Sequence, residues 1–239
     1  MRSRVVPSML LLALSILVLL MLNLFLGSVS IPFRSVWNIL WGMNEGESII
    51  WQNIIMKSRV PQALTAMVAG AGLAISGLQM QTVFRNPLAG PSVLGISSGA
   101  SLGVALVVLL SGSIGGVALS RLGFVGEIAV TMGAIIGALS IMALIVYVSQ
   151  RVRGNVTLLI IGVMIGYVAS AVIGVLKFFS VEEDVRAYVI WGLGSFARVS
   201  GNKVTLFVSI MAVLLPLSLL LIKTLNLLLL GDDYARNLG

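Results

Sequence analysis

The sequence predicts an all-α polytopic membrane protein, and three observations carry that prediction. Of 239 residues, 59% are hydrophobic and only 10% charged, whereas a soluble domain needs about a quarter of its residues charged to cover itself. Mean hydropathy is +1.11. Six uncharged runs follow one another, Val5–Phe33, Val60–Phe84, Asn86–Ser120, Ile128–Gln150, Gly154–Leu176 and Val204–Ile222, each near or above the roughly 20 residues that cross hydrocarbon as helix. Runs such as Met9–Leu14 and Leu158–Ile161 do not alternate with a period of two, which argues against barrel strands. Spanning helices are therefore expected at about 7–26, 61–84, 93–111, 127–149, 156–176 and 204–222, all within a single domain, 1–239.

The first helix follows Arg2 and Arg4, as a signal peptide would. Its apolar stretch from Pro7 to Leu26 exceeds the usual signal core of about 7–15 residues, so a retained helix is expected. Two arginines ahead of it place the N-terminus in the cytoplasm by the positive-inside rule. Alternation then assigns Arg85, Arg151, Arg153, Lys223 and Arg236 to the cytoplasmic side, and Arg34, Lys57, Arg59, Arg121, Lys177, Arg186, Arg198 and Lys203 to the outer side. These loop charges nearly balance, so orientation rests on the N-terminal pair. The net charge of +7 fits cationic loops beside anionic headgroups, and nucleic-acid binding is excluded.

The first and fifth connections are long. Residues 27–59 hold Trp37, Trp41 and Trp51, and 177–203 hold a polar stretch before Trp191-Gly-Leu-Gly194. Tryptophans at such places serve as interfacial anchors, with a binding site the alternative. Within the spans, small residues recur every fourth position: Gly95, Gly99 and Gly103, Gly133 and Gly137, Gly162 and Gly166, and Ala66, Gly70 and Ala74. Such faces let helix backbones approach closely, which predicts a tight bundle rather than loose anchors.

Arg85-Asn-Pro-Leu-Ala-Gly-Pro91 interrupts the apolar pattern. Each proline removes an amide donor and clashes with the preceding turn, so one helix ends here and another begins. The Asn86 side chain is suited to accept from amides freed at the turn. The segment is either a capped helix-to-helix turn or a polar reversal lining a substrate path.

Zero Cys and zero His remove thiolate nucleophiles, disulfides, imidazole bases and His-based metal sites, and no metal or cofactor is expected. No acidic or basic side chain falls inside the six runs; Glu127 precedes the fourth and Lys223 follows the sixth. Ser97, Ser98 and Ser101 have no base beside them, so an intramembrane enzyme is not expected and no catalytic residue is assigned. No P-loop motif is present, and any ATP hydrolysis belongs to a separate subunit. After the sixth run, residues 225–239 lead into the cytoplasm. Gly231 ends the leucine run, and Asp232 and Asp233 suit the N-terminus of a new short helix, with a frayed tail as the alternative.

Several motifs resemble the FecCD-type permeases of ATP-binding-cassette importers for iron–siderophore, haem and vitamin B12. They are Arg59-Val-Pro-Gln-Ala-Leu64, the segment Ala69 to Gln81, Arg85-Asn-Pro-Leu-Ala-Gly-Pro-Ser-Val-Leu-Gly-Ile-Ser-Ser-Gly-Ala100, Ile161 to Gly166, Trp191-Gly-Leu-Gly-Ser195 and Leu230-Gly-Asp-Asp-Tyr-Ala-Arg-Asn-Leu-Gly239. The resemblance covers nearly the whole chain. It implies a ten-helix permease of which six helices are seen, working as a homo- or heterodimer with a cytoplasmic ATPase and an extracytoplasmic binding protein, in the cell membrane. An inactive fragment or a non-transporting membrane scaffold is the alternative.

Carried over position by position, the resemblance implies that Arg59, with Lys57 nearby, docks the binding protein. Gln62 stands where many relatives have a second arginine. Asn86, Pro87, Leu88 and Ala89, with Asn155 and Val156, align with the cytoplasmic gate. Gly231, Asp232, Asp233, Tyr234, Ala235 and Arg236 align with the helix that couples to the ATPase.

Overall fold

A computed structural model describes residues 2–43, 46–115, 124–152, 154–196, 199 and 201–231. Every regular element in it is helical. Five helices are long and apolar enough to cross a membrane: Val5–Phe25, Ile49–Phe84, Val125–Ser149, Asn155–Phe179 and Asn202–Leu219. Contacts gather into two compact units, residues 1–73 with 195–218, and residues 74–194 with 219–239.

In the first unit, α1 (Arg2–Phe25) turns Leu10, Leu11 and Leu14 outward, as a lipid-facing helix requires. The connection that follows carries α2 (Phe33–Leu40). Its Ser35, Val36 and Ile39 are buried, while Phe33, Trp37 and Trp41 remain exposed. Phe25 and Phe33 stack at 4.7 Å, and Phe33–Trp37 and Trp37–Trp41 continue the series at 6.3 and 5.9 Å. An apolar inner face and an aromatic outer face suit a helix lying along the headgroup layer, the anchoring role read from the tryptophans.

The second spanning helix was expected to start at 61, but helical backbone begins at α3 (Ile49–Ile54). Ser48 caps it, its hydroxyl accepting from the Ile50 amide at 3.3 Å. The chain continues through a π-helical turn, Ile55–Arg59, into α4 (Val60–Phe84). Pro61 explains the widened turn. Its ring has no amide hydrogen and crowds the carbonyl four residues back, and the turn moves the Val60 amide onto the Ile55 carbonyl instead.

The second unit centres on α5 (Ile96–Gly115), which packs against α6 (Phe124–Ser149), α7 (Asn155–Phe179) and α8 (Glu182–Gly192). The span expected at 93–111 starts later than its apolar run suggests. Turns bonded Asn86 to Ala89, Gly90 to Val93 and Ser92 to Gly95 occupy the first ten residues of that run. The apolar part of α5, Ile96–Leu110, is therefore about 22 Å long, short of the roughly 30 Å hydrocarbon layer. Gly95 thus precedes the helix instead of lying within it, at φ 75°. A Cβ there would meet the Gly162 carbonyl at 2.8 Å, so both the dihedral and the close approach require glycine.

The small-residue faces of α5, α6 and α7 do meet, whereas on α4 a Cβ at Gly70 would touch nothing within 4 Å. A Cβ added to Gly99 would lie 2.6 Å from the Gly137 carbonyl, and Gly103 is pressed on the Gly133 carbonyl. Gly162 backs onto Leu94, where a Cβ would come within 2.7 Å of its Cα, and Gly166 stands beside Ser98. Helix α9 (Asn202–Leu219) is followed by α10 (Ile222–Leu229).

Candidate functional site

The residues singled out from the sequence fall at the two ends of α4. At its start, Arg59 closes the π-helical turn and is only 6% exposed. Its guanidinium donates from Nη1 to the carbonyls of Leu24 at 2.7 Å and Phe25 at 3.0 Å, and from Nη2 to the carbonyl of Val29. The last carbonyls of a helix have no partner within it and carry the negative end of its dipole. Arg59 therefore caps the end of α1 from another helix. A Cβ at Gly27 would stand 2.7 Å from Arg59 Nη2, so a larger residue there would have to shift the guanidinium. Lys57, two residues earlier, is exposed. Of the two cations proposed for docking, Lys57 offers its charge at the surface and Arg59 holds the scaffold beneath it.

At the other end, Arg85 adopts φ 48°, the sole positive value outside glycine among the described residues. This left-handed residue turns the chain out of α4. Asn86 Oδ1 accepts from the Leu88 amide at 2.9 Å, the Asx turn expected of it. Gln81 Nε2 donates to the Pro87 carbonyl at 3.0 Å. Asn155, at the start of α7, donates from Nδ2 to the Val83 carbonyl at 3.3 Å. Thus Asn86, Pro87, Leu88, Ala89 and Asn155 gather around the last turn of α4. Within the group Ala89 is buried at 3%, while Leu88 and Val156 are 83% and 67% exposed. The polar groups hold the turn together, and the exposed apolar side chains leave a face open.

The same turn reaches α10. Arg85 Nη2 donates to the Leu228 carbonyl at 2.8 Å, at the end of the helix that leads to the expected coupling segment. Gly231 breaks that helix at φ 119°. Asp232, Asp233, Tyr234, Ala235 and Arg236 lie outside the described residues, as do Arg121, Arg153 and Arg198. Sequence reading missed Gly27, Gln81, Leu228 and the capping role of Arg85. A carbonyl acceptor leaves no mark on residue type, so no sequence signal pointed to Leu228.

One ionisable group is buried on α8. Asp184 is 1% exposed, and neither carboxylate oxygen has a hydrogen-bond partner among the described residues. Burial first, and the neighbouring Glu183 second, push its carboxyl above the usual carboxylate range.

The model of the FecCD transport family matches residues 14–239. The hemin transport system permease protein HmuU of Yersinia pestis is 36% identical over 242 residues, which span 100% of this chain and 69% of that protein. The vitamin B12 import system permease protein BtuC of Pectobacterium atrosepticum is 35% identical over 209 residues, 86% of this chain and 57% of that protein. A solved structure described as an inward-facing metal-chelate type ABC transporter superposes with a TM-score of 0.75 at 29% identity, over 98% of this chain and 68% of that one. The chain thus spans about three fifths to two thirds of the length of these relatives.

Proposed function

This chain belongs to the FecCD transport family, and on that premise we propose that it acts as a permease subunit of an ATP-binding-cassette importer for a haem-, cobalamin- or siderophore-type chelate. The observation that carries the reading is the family match running unbroken from α1 through the Asn86 turn to the end of the chain, with relatives named for hemin and vitamin B12 transport. ATP hydrolysis then belongs to a partner on the cytoplasmic side, and cargo arrives on an extracytoplasmic binding protein. A second permease subunit completes the path. The N-terminus lies in the cytoplasm, which puts Lys57 and Arg59 outside and Arg85 and Arg151 inside.

In this reading the outer end of α4 receives the binding protein, with the Lys57 ammonium making the first charge contact above the Arg59 cap. Asn86 to Ala89, with Asn155 and Val156, form the cytoplasmic gate. Leu88 and Val156 supply apolar side chains that shut against a partner face, while the hydrogen-bonded turn behind them sets their position. Gly231 to Arg236 dock on the ATPase, and the Arg85–Leu228 bond makes motion of α10 felt at the gate turn.

The test is uptake in proteoliposomes that hold this chain together with the ATPase and second permease subunit of its system, with the binding protein outside. Hemin, cyanocobalamin and a ferric hydroxamate are offered in turn. ATP-dependent accumulation of one of them is expected. An assembled complex that hydrolyses ATP and accumulates none would overturn the proposal in favour of a non-transporting scaffold.

A further inference from the structure

Between α5, α7 and α8 lies a cavity of about 360 Å³, lined by Ser97, Ser98, Ser101, Ser170, Lys177 and Tyr188 among others. Ser97, Ser98 and Ser101 come from α5 and Ser170 from α7, hydroxyls unusual in helices otherwise built from Val, Ile, Leu and Gly. Lys177 Nζ stands 4.8 Å above the Tyr188 ring, and the Tyr188 hydroxyl is hydrogen-bonded to Ser101. Among the described residues no carboxylate pairs with Lys177. Ser170 donates to the Gly166 carbonyl at 2.9 Å.

The donor set selects the ligand. A lysine ammonium has donors and no acceptors, and serine hydroxyls rotate to donate where an anion is present. A cation would be repelled by Lys177, and an apolar group would strip water from six polar side chains without replacing it. A neutral hydroxylated group would leave the charge unanswered. A carboxylate meets both demands, since its two oxygens accept only and are strongest with an ionised donor.

The depth of the site distinguishes its source. Ser98 is level with Gly166, eleven residues into α7, or about 16 Å along it, whereas Lys177 stands about 33 Å along, near its end. The hydroxyls therefore descend from a charged mouth toward the middle of the span. A lipid headgroup would stay at the rim, while a group travelling through the protein would pass down this series. Resting on the transport reading, we propose that this cavity is a subsite that holds a carboxylate arm of the chelate as it enters, with Lys177 capturing the charge and Ser98, Ser101 and Ser170 replacing its water below.

The experiment uses the chain in phosphatidylcholine nanodiscs, protein-free nanodiscs as the blank, and two probes, protoporphyrin IX and its dimethyl ester, whose carboxylates are masked. The free acid is expected to bind about 10-fold more tightly than the ester. Lys177→Met should abolish that preference, Lys177→Arg should keep it, and Ser98→Ala with Ser101→Ala should reduce it about threefold, with unfolding temperatures near the parent's. Equal affinities for acid and ester, or an undiminished preference in Lys177→Met, would overturn the proposal. Competition by glycerol phosphate but not by succinate would assign the cavity to a phosphate headgroup and overturn it as well. Missing uptake with an intact acid preference refutes the transport reading alone; uptake without any acid preference refutes this site alone.

Discussion

Arg59 and Arg85 stand at opposite ends of α4, and both donate their guanidinium groups to backbone carbonyls at the end of another helix. They differ in what surrounds them. Arg59 is buried, spans three carbonyls and crowds any Cβ at position 27. Arg85 is exposed, reaches the Leu228 carbonyl, and sits on left-handed backbone in a turn braced by Asn86, Gln81 and Asn155. The same residue type therefore makes a permanent cap where water is excluded and an adjustable tie where it is not. Bonds from a charged donor to buried acceptors are expensive to break because the acceptors are left bare, whereas an exposed carbonyl turns to water. That contrast fits the proposed function, in which the outer scaffold holds still while the cytoplasmic turn moves.

The comparison can be broken most directly at Arg59. Arg59→Met keeps the aliphatic stem and removes the donors, leaving the Leu24, Phe25 and Val29 carbonyls unsatisfied. A loss of about 3 kcal/mol is expected, read as a lower unfolding temperature in detergent. Near-parental stability would mean that water already satisfies these carbonyls.

Gly27→Ala should come next. Its Cβ would push on Arg59 Nη2, and because the guanidinium is pinned at three points, about 1–2 kcal/mol is expected. In the Arg59→Met background the same change should cost almost nothing, since the crowded atom is gone. Additive losses in that double-mutant cycle would show that Gly27 acts on its own backbone instead.

Asp184 is the opposite case to Arg59, a buried charged group without hydrogen-bond partners among the described residues. Its folded-state carboxyl lies above the ordinary value of 3.8, so between 3.8 and that higher value the folded chain holds a proton that the unfolded chain has lost. Stability contributed by the neutral carboxyl is therefore lost as the pH rises across this window. Asp184→Asn should remove this decline and raise stability near neutral pH by about 1 kcal/mol. Thermal unfolding at pH 5 and pH 8 measures it, and a less stable Asn variant at pH 8 would reveal a partner that wants the charge.

The smallest effect is expected at Arg85. Arg85→Ala should lower stability by about 0.5 kcal/mol. What it should change is proteolytic access, with cleavage near Leu228 faster than in the parent. Loss as large as that of Arg59→Met would erase the distinction between the two caps.

Much of this molecule is legible from residue order alone. Lipid excludes water, so a spanning segment must be apolar and must satisfy its own backbone, and six uncharged runs reported that directly. The prolines at 87 and 91 announced a break because they lack a donor, and Asn86 announced how the break is capped. The glycine spacing announced close helix approach, although it did not say which pairs would meet. Tertiary structure decided what depends on partners far away in the chain. Arg59 read as a surface cation because charge is a property of the residue, while burial is a property of its neighbours, here the end of a helix some thirty residues earlier. Helix α5 began late because turn bonds consumed the start of an apolar run that composition could not divide. Ser98, Ser170 and Lys177 lie far apart along the chain, and only the side-by-side packing of α5 and α7 brings them around one cavity.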